Sequence, residues 1–157
     1  MKYYAGIGSR ETPSDILSIM TEKARILFIK HALTLRSGGA KGADSAFERG
    51  CDSVQGTKEI FRAADATQDA LDLAKEFHPA WNKCTEYAQK LHGRNMMIVL
   101  GADLQTPVDF ILCWTPGGQF MGGTAQALRA ALFYKIPVYN LFNSDDLSNF
   151  NNQYLWK

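Results

Sequence analysis

Residues 115–124 read Thr-Pro-Gly-Gly-Gln-Phe-Met-Gly-Gly-Thr, a glycine-rich stretch between two apolar segments. The apolar run at residues 110–114 before it is typical of a buried strand, and the alanine-rich residues 125–133 after it are typical of a helix. A glycine-rich turn between a strand and a helix points free backbone N–H groups and the positive helix end at an anion. The sequence therefore predicts a phosphate-binding turn on an α/β sheet.

Two more glycine-rich turns follow predicted strands earlier in the chain. Residues 6–10 read Gly-Ile-Gly-Ser-Arg, and residues 37–44 read Ser-Gly-Gly-Ala-Lys-Gly-Ala-Asp. Each turn alone is common in loops. Ligands of parallel sheets bind beyond the carboxyl ends of the strands, so three such turns at one edge indicate a shared ligand site.

Strands and helices alternate along the chain. The predicted strands cover residues 3–7, 33–36, 58–62, 96–100, 108–114 and 137–141. The predicted helices cover residues 14–30, 43–51, 66–77, 81–92 and 124–134. This alternation predicts a single-domain, Rossmann-like α/β fold, with a mostly parallel sheet of about six strands and helices on both faces. Residues 1–142 form the predicted domain, and residues 143–157 form a C-terminal tail without periodicity, whose aromatic residues are expected to dock on the body or on a partner.

Composition narrows the function classes. The chain has 157 residues and a formal net charge of +1. So small a charge produces no electrostatic field that would attract nucleic acid or membranes in general. Three widely spaced cysteines suit a reducing compartment, so a cytoplasmic location is expected. No apolar run approaches the roughly 20 residues of a membrane span. We recognise no Cys-x-x-Cys pair and no His/Cys cluster, and we predict neither a metal site nor a cofactor.

The three turns, together with Arg94 and Asn95, resemble the SLOG superfamily over about residues 3–141. The first two turns and the Arg-Asn pair look most like DprA (Smf), the DNA-processing protein. The segment from Pro116 to Thr124 looks more like the LOG cytokinin-activating enzymes. The segment 100–116 looks like small stand-alone members found in phage and bacterial genomes.

The resemblance implies a partner and an assembly. It implies that the protein binds a phosphate-containing nucleotide or a nucleotide-derived signal, such as an ADP-ribose derivative or a cyclic nucleotide. A phage-encoded member would sequester an immune signal in the host cytoplasm. The resemblance also implies a homo-oligomer, a dimer or higher.

The predicted ligand-binding residues come from the three turns and the Arg-Asn pair. They are Gly8, Ser9, Arg10, Ser37, Gly38, Gly39, Ala40, Lys41, Gly42, Asp44, Arg94, Asn95, Thr115, Pro116, Gly117, Gly118, Gly122, Gly123 and Thr124.

Three of these residues have alternative interpretations, and a fourth, Thr124, has two compatible roles. Arg10 either pairs with phosphate or forms a surface ion pair with the neighbouring glutamate. Asp44 either contacts a ribose hydroxyl or caps a helix. Arg94 is either a second phosphate ligand or a solvated charge at a helix end. Thr124 is expected to donate to phosphate and to cap its helix.

Two other functions compete with simple binding. LOG enzymes cleave an N-glycosidic bond with a Pro-Gly-Gly-x-Gly-Thr-x-x-Glu motif, and the glutamate position of that motif falls on Ala127 here. A nucleotide N-glycosidase therefore needs another carboxylate, such as Asp44, Glu11 or Glu48, and catalytic residues stay unassigned. A DprA-like binder of single-stranded DNA is less favoured, because the net charge is close to zero.

Overall fold

The computed structural model describes residues 2–156 and contains one parallel sheet of five strands. The strands are β1 (Tyr3–Gly6), β2 (Thr34–Ser37), β3 (Lys58–Ile60), β4 (Ile111–Cys113) and β5 (Val138–Asn140). Their spatial order is β3-β2-β1-β4-β5, and every neighbouring pair is parallel. This is the Rossmann-like order, so the predicted fold class is confirmed, with five strands instead of about six.

Within residues 2–156, six α-helices surround the sheet. They are α1 (Ser14–His31), α2 (Ala43–Ser53), α3 (Gln68–Phe77), α4 (Glu86–Leu100), α5 (Thr124–Tyr134) and α6 (Ser144–Phe150). Short 3-10 turns at Ala63–Asp65, Trp81–Lys83 and Pro116–Gly118 connect elements, and a π turn follows α6 at Asn151–Leu155.

Helices cover both faces of the sheet, as the continuous apolar strands predict. Side chains alternate along each strand, so Ala5 and Ile111 face one core while Tyr4 and Leu112 face the other. The first core is closed by α3, α4 and α5, and the second is closed by α1, α2 and α6. Both faces of the central strands β1 and β4 are therefore buried.

The predicted strand at residues 96–100 is wrong. These residues form the last turns of α4, which begins at Glu86 after Thr85 caps it by accepting the Ala88 N–H at 3.1 Å. All five residues of the run are buried. A helix end that is enclosed on every side shows no helical periodicity, so its sequence resembles a buried strand. Residues 81–83, predicted to begin a helix, instead form a separate 3-10 turn.

The segment after residue 143 packs on the body. Although its sequence shows no periodicity, α6 forms there, and Phe150 is fully buried in the second core. The Tyr154 ring lies 4.4 Å from the Phe110 ring, centroid to centroid, and Leu155 packs against the same core. Trp156, predicted with them, is 72% exposed. Within residues 2–156, no helix has both the length and the apolar character that crossing a membrane requires.

Candidate functional site

A cavity of about 720 Å³ opens beyond the carboxyl ends of the strands. It lies where the loops after β1, β2 and β4 meet, and the amino end of α5 and one side of α4 complete it. The chain runs from β1 to β2 on one side and reaches β4 on the other, so the cavity sits at the topological switch point of the sheet. Its size is that of a small-molecule site.

The loop after β1 supplies one wall. Gly8 lets this loop approach its neighbours, because a Cβ there would lie 2.8 Å from the Ala43 Cβ and 2.9 Å from the Trp114 carbonyl oxygen. The Ser9 N–H donates to the same Trp114 oxygen at 3.2 Å, which joins this loop to the one after β4. Arg10 and Glu11 follow, exposed and facing the cavity. Within residues 2–156 they form no ion pair with each other, which removes that alternative for Arg10.

Asp44 lies under the first two loops. Its Oδ2 accepts the Ala40 N–H at 3.3 Å, and the N–H groups of Gly38 and Gly8 also stabilise its ionised form. The carboxyl group is 5% exposed, and burial raises its pKa to about 6 against the opposing effect of these N–H groups and of Arg94. The N–H groups of Gly8, Gly38 and Ala40, which belong to the predicted phosphate-binding turns, therefore bind a carboxylate of the protein itself. Asp44 is the second residue of α2 and does not cap it, since the N-cap is Gly42.

Arg94 and Asn95 connect α4 to two of the loops. Nη1 of Arg94 donates to the carbonyl oxygens of Gly38 at 2.9 Å and Phe61 at 3.1 Å, and its Nε donates to Asn95 Oδ1 at 2.9 Å. Nδ2 of Asn95 donates to the Gly123 carbonyl at 2.9 Å. Arg94 is therefore neither a helix-end charge nor a wholly free phosphate ligand, because it braces the loop after β2.

Gly38 provides the room for this arrangement. A Cβ at residue 38 would lie 2.5 Å from Arg94 Nη1 and 2.8 Å from Asp44 Oδ2. A Cβ at Gly39 would meet the guanidinium of Arg62, a residue that the sequence analysis did not single out. Gly38 is therefore needed for packing against these charged side chains whether or not a ligand is bound, whereas the exposed Arg62 side chain beside Gly39 can move aside.

The loop after β4 is built differently. A Cβ at Gly122 or Gly123 would meet nothing within 4 Å, and both residues face the cavity. Gly123 is the N-cap of α5 and Thr124 its first helical residue, so the predicted capping role of Thr124 is wrong. The Ala125 N–H donates to the Gly122 carbonyl at 3.2 Å, whereas the N–H groups of Gly123 and Thr124 have no hydrogen-bond partner within residues 2–156. The cavity therefore meets open backbone at a helix amino end.

The structure brings eleven of the nineteen predicted residues to the cavity. They are Gly8, Ser9, Arg10, Ala40, Asp44, Arg94, Asn95, Pro116, Gly122, Gly123 and Thr124. The other predicted residues lie outside its lining: Ser37, Gly38, Gly39, Lys41, Gly42, Thr115, Gly117 and Gly118.

Two of the residues outside the lining, Ser37 and Thr115, have clear structural roles. Ser37 Oγ donates to the Gly6 carbonyl at 2.6 Å, and Thr115 is buried and bonded through its Oγ1 to Asn140 Nδ2 at 2.7 Å. Gly118 lies beside Asn143. Lys41 is exposed to solvent.

The position of the LOG glutamate lies in the core. Ala127 is fully buried among the side chains of the first core. The neighbouring Gln126 is also buried, and its amide donates to the Ala74 carbonyl at 2.9 Å and accepts from Arg129. No carboxylate occupies this position, and the adjacent polar group is already engaged.

A cluster that the sequence analysis missed lies on the α4 side of the cavity. His78, Cys84 and His92 bring one potential ligand atom each to within 4.8 Å of one another, so the prediction of no His/Cys cluster is wrong. His78 and His92 also line the cavity. Burial, with smaller effects of His78, Arg129 and Arg94, lowers the pKa of His92 to about 4. The sequence does contain three residues of metal-ligating type within residues 78–92, but their spacing matches no standard zinc motif.

Comparisons with known proteins identify no relative. No family model matches the chain, and no curated protein and no solved structure matches it. The resemblance to the SLOG superfamily therefore remains a hypothesis that rests on the motif residues.

Proposed function

We propose that the cavity binds a phosphorylated nucleoside or a nucleotide-derived signal, with a phosphate at the amino end of α5. The observation that carries this proposal is the open backbone of Gly122 and Gly123, which faces the cavity at a helix amino end. Glycine there leaves space that no protein atom occupies. Such positions admit an anion to within hydrogen-bonding distance of backbone N–H groups.

Arg10 supplies the charge for this phosphate. It is exposed, it lines the cavity, and within residues 2–156 its side chain forms no ion pair and no hydrogen bond. A guanidinium without a partner is suited to bidentate binding of a phosphate. Arg94 contributes mainly its charge, because its Nε and Nη1 already donate to protein oxygens.

The rest of the cavity suits a nucleoside. Its apolar lining includes Ile7, Ala88, Leu91 and Met121, which form a surface for a base. Nucleotide sites combine such apolar contacts with a few fixed polar groups. The resemblance to SLOG proteins favours an ADP-ribose derivative or a cyclic nucleotide among the possible ligands, and sequestration of an immune signal as the biological role.

A second candidate function is hydrolysis of the N-glycosidic bond. One observation favours it: Asp44 lines the cavity, and its pKa of about 6 keeps part of the population protonated near neutral pH. A carboxyl group with such a pKa can act as a general acid toward a leaving base. Against this role, the carboxylate already accepts a backbone N–H from Ala40.

A ligand panel with a matched variant pair tests the proposal. Thermal shift is recorded with nucleoside monophosphates, ADP-ribose derivatives and cyclic dinucleotides, and free base is measured in the same samples. A ligand at 100 times its Kd adds about 2.7 kcal/mol to stability, which raises Tm by roughly 5–10 °C for a chain of this size.

The variant pair places the ligand in the cavity. Gly123→Val fills the open space at the α5 end and is expected to abolish the shift while leaving the Tm of the free protein nearly unchanged. Ala64→Val, at an exposed position outside the cavity, is the control and should bind normally. A normal shift with Gly123→Val would remove this loop from the site. Base release that is lost in Asp44→Asn would favour the hydrolase.

A further inference from the structure

We propose that His78, Cys84 and His92 form a binding site for a transition-metal ion, with Zn²⁺ as the preferred ion and one coordination position open to the cavity. The proposal does not depend on nucleotide binding. The three side chains come from the end of α3, the turn before α4, and the middle of α4, and they meet at the cavity wall.

The three side chains lie close enough to share one tetrahedral ion once the His78 ring turns. Cys84 Sγ lies 3.7 Å from His78 Nε2 and 3.9 Å from His78 Nδ1. With Zn–S near 2.3 Å and Zn–N near 2.0–2.1 Å, the S···N edge of a tetrahedral site is about 3.6 Å. All three ligand atoms lie within 4.8 Å of one another. An edge of 4.8 Å must therefore contract by more than about 1 Å, and the His78 ring must turn so that one of its nitrogens points at the ion.

One atom of the cluster lacks a partner. Nδ1 of His92 is buried and has no hydrogen-bond partner among residues 2–156. A buried polar atom without a partner costs free energy, and a bound metal ion would supply that partner. The ring centroids of His78 and His92 are 4.4 Å apart, so a single ion can reach both imidazoles.

Metal binding competes with two hydrogen bonds of the protein. The Cys84 thiol donates to the Ala80 carbonyl at 3.6 Å, and this bond is lost when the thiol ionises to bind the ion. The Ala80 N–H donates to His78 Nδ1 at 3.0 Å, which places the proton of a neutral His78 on Nε2. Coordination through Nε2 moves that proton to Nδ1, and coordination through Nδ1 displaces the N–H group. In either case the turn at residues 78–80 must adjust when the ion binds.

The ligand set selects the kind of ion. Two imidazoles and one thiolate suit Zn²⁺ and Co²⁺, whereas Mg²⁺ and Ca²⁺ require oxygen ligands. Three protein ligands leave a fourth position for water or for an anionic oxygen. Since His78 and His92 line the cavity, that position faces the space where a ligand would lie.

Metal titration of the full chain tests the site. The protein is stripped with a chelator, and Zn²⁺ binding is measured by calorimetry at neutral pH. Co²⁺ binding is followed by the thiolate charge-transfer band and by the visible bands of a tetrahedral ion. We expect one ion per chain. The Trp81 ring lies 6.3 Å and 6.4 Å from the rings of His78 and His92, so Co²⁺ should also quench its fluorescence.

Two variants and two controls distinguish this site from adventitious binding. Cys84→Ser and His78→Gln are each expected to weaken Zn²⁺ binding by at least about tenfold, and Cys84→Ser should remove the charge-transfer band. Cys51→Ser and His31→Gln alter a cysteine and a histidine outside the cluster and should bind normally. Thermal melts verify that each variant is folded. No binding by the unmodified protein, or equal binding by folded Cys84→Ser, would overturn the proposal.

Discussion

Asp44 links the fold to the candidate site at the scale of a single residue. Its carboxyl group holds the loops after β1 and β2 together, and burial raises its pKa to about 6 from the ordinary 3.8. The folded state therefore holds a proton more tightly than the unfolded state does. Stability due to this group is fully present below about pH 3.8 and is lost as the pH rises through about 6.

The first prediction concerns this pH dependence. Relative to Asp44→Asn, the unmodified protein should lose up to about 3 kcal/mol of unfolding free energy between pH 4 and pH 7, since one pKa unit corresponds to 1.36 kcal/mol. Urea unfolding of both proteins across this range measures the difference. If the unmodified protein instead gains unfolding free energy relative to Asp44→Asn as the pH rises, the surrounding N–H groups make the ionised carboxylate the favoured form.

The second prediction separates the two arginines of the cavity. Arg10→Ala should weaken nucleotide binding by about 1.5–3 kcal/mol and leave Tm unchanged, because the free side chain has no protein partner to lose. Arg94→Ala should lower the unfolding free energy by about 2 kcal/mol, because the carbonyls of Gly38 and Phe61 lose their charged donor. Calorimetric titration and urea unfolding measure the two effects.

Arg49→Ala, at an exposed position of α2 outside the cavity, is the matched control and should change neither quantity. Loss of stability in Arg10→Ala, or none in Arg94→Ala, would reverse the roles assigned to the two side chains.

At the scale of elements, predictability depended on how each segment is buried. Within residues 2–156, the helices α1, α2, α3 and α5 and the five strands lie within the predicted segments or close to them. Glycine-rich turns mark the ends of β1, β2 and β4. The end of α4 was mistaken for a strand, because burial on every side erases its periodicity. Helix α6 gave no periodic signal because it is short and only Phe150 of it is buried.

For the candidate site, the sequence indicated what depends on local residues and not what depends on contacts between distant segments. The loops after β1 and β4 were located from glycines, and the cavity does lie between them. The sequence did not reveal that Gly38 accommodates Arg94 and Asp44, since that depends on contacts between distant segments. It also did not reveal that His78, Cys84 and His92 lie close together. The break between α3 and α4 brings them together, and their spacing in sequence follows no regular motif.

The third prediction tests the amino-terminal cap of α4. Thr85→Ala removes the side chain that accepts the Ala88 N–H, and it should lower the unfolding free energy by about 1 kcal/mol. Thr85→Ser keeps the cap and should restore most of the loss. Urea unfolding provides the measurement, and amide exchange shows where the effect extends. Faster exchange should reach residues 89–92, and equal stability of the alanine and serine variants would argue against the cap.

At the scale of the whole molecule, the C-terminal segment is connected to the candidate site. Asp146 of α6 accepts the Asn140 N–H at 3.0 Å through Oδ2. The Asn140 side chain donates to Thr115 Oγ1 at 2.7 Å and accepts the Thr115 N–H at 3.3 Å. Thr115 begins the loop whose far end, at Gly122 and Gly123, faces the cavity. Docking of α6 therefore fixes the base of that loop.

The fourth prediction follows from this connection. Phe150→Ala empties a fully buried position beside the rings of Phe110, Tyr139 and Tyr154, so the unfolding free energy should fall by about 3–5 kcal/mol. Amide exchange should quicken at Thr115 as well as in α6, because the contact through Asp146 loosens. Trp156→Ala, at an exposed position, is the control and should change stability by less than about 0.5 kcal/mol. Unchanged protection of Thr115 in a destabilised Phe150→Ala would mean that the loop holds its shape without α6.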